Sequence, residues 1–488
     1  VIKKSRTEAT QKQTFDKFRR ILKMKSSKIL LATALLTFAA AGNALAFHDG
    51  GVAYCDGCHS MHNSSGNASM SGGRNKTLAG WNAAGKASTT QFQGNAFLLQ
   101  GSDDSSTCLN CHAANDAAPS GYHIMTFPAP AAGAAPVERT PGGDFAWLTQ
   151  TFSALASYGA PVTSKGERHG HNVVAQDYGL TADTTLLTAP GGTYAASALS
   201  CASCHDPHSR ARIIDANGTI VNAALGAKVL PIGASGSYGG APTANEAVGV
   251  YRLLAPSNYS QMSYTNTTPF TANPPVAVAP STYNRSEAAT DTRVAYGQGM
   301  SEWCSNCHVA IHNNNTNAAN TALIHPAGNG AKLTATANDL AGNAAGTTIA
   351  NIYNAYKMSG DLTNTQTSSY TSLVPYEEGT GVIATLAGHA VNDGTQLGGP
   401  TGSENVMCLS CHRAHASGFD NISRWNNRAE FLTVGGAYPG TDATGEGAYG
   451  QYSMGMTQAQ YQAAMYDRPA TQFAYAQRSL CNKCHAKD

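Results

Sequence analysis

Cys55-Asp56-Gly57-Cys58-His59 is the stretch that decides how the rest of the chain must fold. The same Cys-X-X-Cys-His pattern returns at Cys108–His112, Cys201–His205, Cys304–His308, Cys408–His412 and Cys481–His485. These six motifs, numbered one to six in chain order, account for all 12 cysteines: Cys55, Cys58, Cys108, Cys111, Cys201, Cys204, Cys304, Cys307, Cys408, Cys411, Cys481 and Cys484. A lone Cys-X-X-Cys is ambiguous between a redox dithiol and half of a zinc site. Neither alternative requires a His directly after every second Cys, whereas covalent attachment of c-type haem does. Two thiols bond to the haem vinyl groups, and the adjacent His takes the proximal side of the iron. One turn of chain brings both sulfurs to one edge of the porphyrin and lets the next residue reach under the metal. The pattern predicts six haem c groups, with His59, His112, His205, His308, His412 and His485 as proximal ligands.

The distance between successive motif starts is 53, 93, 103, 104 and 73 residues. This irregularity excludes a solenoid repeat. One haem falls in roughly every 74 residues of the segment 47–488, so haem faces replace the usual apolar layers of a core. The predicted fold is a single hexahaem cytochrome domain over 47–488. It is mostly irregular coil, with a few short helices and minimal strand, organised around a continuous haem stack. Helices are expected over Ala146–Ser157, Ile349–Met358 and Met456–Tyr466, an extended linker over Phe127–Pro136, and short strands near Arg212–Ile214 and Gly218–Val221.

Residues 1–46 stand apart. Met24-Lys25-Ser26-Ser27-Lys28 followed by the apolar run Ile29–Ala41 and by Ala44-Leu45-Ala46 reads as a secretory signal, with Met24 as the better start and the mature chain beginning at Phe47. The apolar run is too short to span a bilayer. Removing the ten basic and two acidic residues of 1–46 from the 31 and 30 of the whole chain leaves 21 basic and 28 acidic residues, a formal charge of −7. No basic patch for nucleic acid is visible. Export fits the chemistry, since c-type haem is attached outside the cytoplasm.

The second axial ligand decides what each haem does. Of the 16 histidines, six belong to motifs and ten remain. His62, His208 and His415 follow a motif as Cys-X-X-Cys-His-X-X-His, and His312 lies one residue further on. Each points away from its own iron, whose near side is taken, and is placed to serve a neighbouring haem. His123, His171, His325 and His389 lie in the long intervals and are expected to reach back to nearby haems. These eight are the distal candidates; His48 and His169 are left out. Bis-histidine iron has no open position for substrate, so the chain reads as an electron carrier rather than an enzyme.

With these residues in hand, the chain resembles the filament-forming, outer-surface hexahaem c-type cytochromes of metal-reducing bacteria. The resemblance is carried by Phe47-His48, Cys55–His62, Thr140–Phe145, Ala189–Tyr194, Cys201–His208, Ala279–His312, His325–Lys332, Tyr376–Thr380, Cys408–Phe419 and Leu480–Asp488. It implies bis-histidine ligation throughout and polymerisation into extracellular filaments. It also implies that His62 ligates the fifth haem, that of Cys408, Cys411 and His412, in the adjacent subunit of a homopolymer. Its expected partners are extracellular acceptors such as metal oxides and electrodes, partner cells, and other cytochromes. Two rival readings keep the haems: a discrete soluble periplasmic or surface carrier, and a multihaem oxyanion reductase.

Overall fold

The computed structural model describes residues 55–59, 64–65, 68–69, 99–114, 123–131, 134–155, 161–207, 254–261, 264, 269–278, 293–312, 325–336, 346–356, 366–390, 397–445 and 452–485. The expected signal segment, the strands near 212–221, and the candidates His48, His62 and His208 lie outside them.

Regular structure is sparse among the described residues, and four of its seven α-helices carry motif cysteines. Helices α1 (Cys55–Cys58), α2 (Asp104–His112), α3 (Cys201–Cys204) and α4 (Met300–Cys304) each carry motif cysteines. Motifs five and six instead lie in 3-10 turns, Cys408–Ser410 and Leu480–Lys483. In motifs three to six the amide of the motif His donates to the carbonyl of the first Cys, at 2.9–3.1 Å. That one closed turn sets positions i and i+3 on the same face, which is what two-point attachment to one porphyrin edge needs.

Three further helices stand between motifs: α5 (Ile349–Ala355), α6 (Ile383–His389) and α7 (Gln458–Ala464). Each of α5 and α7 starts on a Thr side chain, Thr348 accepting from the Asn351 amide and Thr457 from the Gln460 amide. Such caps satisfy amide groups that a helix start leaves orphaned. The expected helix over Ala146–Ser157 is not formed. A 3-10 turn, Phe145–Thr149, is capped by Asp144, and the chain then extends into a strand.

Strands occur in two-stranded pairs. β1 (Ser64–Ser65) pairs antiparallel with β2 (Ala68–Ser69), and β3 (Ala113–Ala114) pairs parallel with β4 (Met125–Thr126). β5 (Phe152–Leu155) runs antiparallel to β6 (Pro161–Ser164), with Phe152 opposite Ser164, and β7 (Ala277–Val278) antiparallel to β8 (Ala295–Tyr296).

The largest apolar cluster gathers residues distant in sequence, including Leu109, Met125, Trp147, Phe419 and Tyr461, all nearly inaccessible. It locks the segment after motif two against the segment after motif five. Gly142 and Gly143 make the closest approach. The Gly142 carbonyl accepts from the His415 amide at 2.7 Å, and a Cβ on Gly142 would press on the His415 ring. Gly143 has φ +100°, and a Cβ there would collide with the Ala416 carbonyl. Only glycine suits that backbone and that spacing, so this pair fixes where His415 sits.

Candidate haem-binding sites

The motifs lie next to one another in chain order. The Gln100 amide donates to the Cys58 carbonyl at 2.8 Å, joining motif one to the lead-in of motif two. The Cys201 amide donates to Ser105 Oγ at 3.0 Å, and the Cys108 and Cys201 thiols hydrogen-bond one another. Cys204 and Cys307 are close enough that each negative thiolate would oppose the other. The Cys408 amide donates to Ser301 Oγ at 3.0 Å, and the Cys304 and Cys408 thiols are hydrogen-bonded. Cys411 in turn neighbours Cys481 and Cys484. The described cysteines are free thiols; they stand in for the thioether sulfurs of attached haem, and each sulfur marks a porphyrin edge.

Among the described residues no group of three or more His, Cys, Asp or Glu side chains converges as a direct metal site. Six of the described histidines instead occur in three ring pairs. His171 faces His308 with ring centres 6.1 Å apart, His415 faces His205 at 6.4 Å, and His325 faces His485 at 6.0 Å. Two imidazoles on opposite sides of one metal, each bonded at roughly 2 Å, have ring centres about 6 Å apart. The spacing fits one iron between each pair.

The tautomers fit as well. His171 Nδ1 donates to the Ala414 carbonyl at 2.8 Å, and His308 Nδ1 to that of Pro190 at 2.9 Å. His325 Nδ1 donates to the Pro326 carbonyl and His412 Nδ1 to that of Asn421, both at 2.9 Å. A proton fixed on Nδ1 leaves the Nε2 lone pair for a metal and orients the ring. Burial, aided by neighbouring imidazoles, pushes His171 down to about 4 and His415 down to about 3. Both rings are therefore neutral at pH 7, the form that binds a metal.

His389 ends α6, and its Nδ1 lies 2.7 Å from Glu378 Oε2. Glu378 is itself buried and paired with Arg293 at 2.6 Å. The hydrogen bond to Glu378 raises the His389 pKa, so binding a metal at Nε2 would displace a proton from this ring. Burial alone would raise the Glu378 carboxyl, but His389 and Arg293 outweigh it and hold it below the ordinary value. No sequence pattern marks Glu378 or Arg293 for this task. His312 places Nε2 in a buried position with no hydrogen-bond partner, 3.8 Å from Glu302 Oε1 and so beyond hydrogen-bond reach. His123 is buried beside motif two, where the Ile124 amide donates to the His112 carbonyl at 2.8 Å.

His169 differs from all of these. It is fully inaccessible, its Nδ1 donates to the Trp147 carbonyl at 3.1 Å, and its Nε2 lies 2.7 Å from Ser164 Oγ. Both nitrogens are occupied by protein. The expectation that the interval histidines reach back does not describe His171 or His325, which face motifs four and six further along the chain. The reason is the fold: the segments carrying them are packed beside later motifs.

No family model matches the chain. The chain is 50% identical over 473 residues to the C-type cytochrome OmcS of Geobacter sulfurreducens, covering 95% of this chain and 99% of that protein. The solved structure of the Outer Membrane Cytochrome S filament from the same organism superposes with a TM-score of 0.74, covering 90% of this chain and all of the other. A second solved structure, of OmcS nanowires studied by cryo-electron microscopy, gives 0.73 at 50% identity. No helix among the described residues is long and apolar enough to cross a membrane.

Proposed function

Because the chain belongs to the OmcS family of c-type cytochromes, we propose that it is the repeating subunit of an extracellular cytochrome filament, conducting electrons to metal oxides, electrodes or partner cells. The reading is of a carrier, not an enzyme. Residues 47–488 are the exported hexahaem domain, and 1–46 are removed. The observation that carries the proposal is the set of three imidazole pairs at iron-spanning distance, set among motifs that follow one another through the molecule.

Haem iron, when bound, supplies a one-electron couple whose potential follows its axial ligands and surroundings. The chain supplies the rest. The motif cysteines fix each porphyrin edge. His308 and His171 would close motif four, His205 and His415 motif three, and His485 and His325 motif six. The three distal positions that remain, on motifs one, two and five, draw on His62, His123, His208, His312 and His389. Carbonyls on Nδ1 of His171, His308, His325 and His412 hold those rings against rotation, so that a change of oxidation state needs little movement of these ligands.

The resemblance assigns His62 to the iron held by His412 in the adjacent subunit. A head-to-tail contact of this kind does not close on itself and generates a fibre. Cryo-electron microscopy of material sheared from cells tests the reading. Ordered filaments with six haems per subunit, and density joining His62 to a neighbour's iron, are expected. Abundant, fully haem-loaded protein that stays as discrete particles would instead make it a soluble carrier. A high-spin electron paramagnetic resonance signal from the intact protein would point to a reductase.

A further inference from the structure

The charged side chains around the motif sulfurs are not evenly distributed. Helix α2 carries motif two and begins with two carboxylates. Asp103 caps it, accepting from the Ser106 amide at 2.7 Å and from the Gln176 amide at 2.8 Å. Asp104 opens its first turn and accepts from Gln261 Nε2 at 3.2 Å. Motif three is docked on the same turn through the Cys201 amide and Ser105. Asp104 lies one helical turn before Cys108, and Gln261 Nε2 ties it to Ser200 Oγ, directly before Cys201, at 2.9 Å, so both carboxylates sit beside motifs two and three.

The other end of the series is reversed. Lys483 occupies a variable position of motif six itself and is only 2% exposed. Its Nζ donates to the carbonyls of Tyr353 at 3.1 Å and Ser369 at 2.5 Å. It also lies over the Tyr353 ring at 4.2 Å and the Tyr356 ring at 5.1 Å. The positive charge belongs to the turn that carries both motif cysteines, one residue before Cys484 and two before His485. Motif five is mixed: Glu302 follows the Ser301 whose Oγ accepts from the Cys408 amide, and the buried Arg424 donates Nε to the carbonyls of Leu409 at 2.7 Å and His412 at 3.0 Å. Between them, motif four has Glu302 and Glu377 beside the Glu378–Arg293 pair.

We propose that Asp103 and Asp104 hold the potentials at motifs two and three down, and that Lys483 holds the potential at motif six up, so that an electron within one subunit rests preferentially toward the carboxy-terminal end. Reduction of Fe(III) to Fe(II) removes one positive charge from the site. A fixed cation nearby favours the reduced form and a fixed anion the oxidised form. The effect is largest where water is excluded and screening is weak, which is the situation of Lys483. This inference rests on the reading of the motifs as haem attachment sites.

The test is a spectroelectrochemical titration of the intact protein, with haem content measured on the same samples. Lys483→Met is expected to lower one component of the titration, and Lys483→Arg to leave it in place. Asp103→Asn with Asp104→Asn keeps a capping side chain and is expected to raise two components, different from the one that Lys483 controls. Six haems per chain with no component moved, or with Met and Arg at position 483 shifting the same component equally, would overturn the inference. Fewer than six haems in the unaltered protein would instead defeat the reading beneath it. Should the 483 variants fail to fold, the aspartate pair decides alone: unchanged or lowered components would sink the proposal.

Discussion

The imidazoles of His171 and His308 face each other with ring centres 6.1 Å apart, although the whole of motif three lies between them in the chain. Each ring is fixed by a carbonyl from a different segment, Ala414 for His171 and Pro190 for His308. Four stretches of backbone therefore meet at the position proposed for one iron, where a bound haem would close long loops as a crosslink does.

His171→Ala opens that position while leaving the motif cysteines and His308 in place. One iron of the six is expected to turn high-spin, read by electron paramagnetic resonance, and added imidazole is expected to restore the low-spin signal. His169→Ala, two residues away, is the control. That ring has both nitrogens bonded to protein, so its loss leaves all irons low-spin. It costs stability instead, about 1–3 kcal/mol for a buried hydrogen-bonded group left without its partner, measured by chemical denaturation of the loaded protein.

Glu378 acts on both a ligand and a cation. It holds His389 Nδ1 at 2.7 Å and Arg293 at 2.6 Å, with exposures of 2% for Glu378 and 6% for the Arg293 side chain. Removing one member of a buried pair leaves the other charge uncompensated and costs about 3–5 kcal/mol. Glu378→Ala is expected to lose stability on that scale and to loosen His389, broadening the low-spin signal of one haem. Glu378→Gln keeps an acceptor for His389 and is expected to lose less on both measures.

The c-type cytochrome family, the scarcity of regular structure among the described residues and the helix near Ile349 are legible in the sequence. Cysteine spacing reports covalent chemistry directly, and the apolar rhythm of Ala350, Ile352 and Tyr353 matches a face that is indeed buried. The segment after Asp144 misleads because helix propensity is a weak signal. There Phe152–Leu155 finds Pro161–Ser164 as a partner, and the pairing wins. Helix α6 escapes notice for a related reason, since only Ile383 and Leu386 of its seven residues are buried. Which imidazole faces which is not legible at all. The pairs His171–His308, His205–His415 and His325–His485 are set by tertiary packing, notably by Gly142 and Gly143 against His415 and Ala416. Nothing local in the sequence encodes such a distance.

Glu377 offers the clearest pH signature. It is fully inaccessible, accepting from Asn405 Nδ2 at 2.9 Å and from the Gly299 and Met300 amides at 3.2 and 3.4 Å. Burial outweighs these hydrogen bonds and, with Glu302 nearby, lifts its carboxyl to about 7 from an ordinary 4.5. The folded protein thus holds a proton that the unfolded chain has already released. Stability from this group is fully present below about pH 4.5 and is lost as pH rises through about 7. The loss is at most about 3 kcal/mol, since a tenfold change in proton affinity is worth about 1.36 kcal/mol. Glu377→Gln fixes the neutral form. Its denaturation midpoint should coincide with that of the unaltered protein near pH 4.5 and exceed it by a growing margin up to pH 8. A constant difference across that range would mean that Glu377 is charged in the fold, its negative charge carried by the Asn405 amide and the amides at the start of α4.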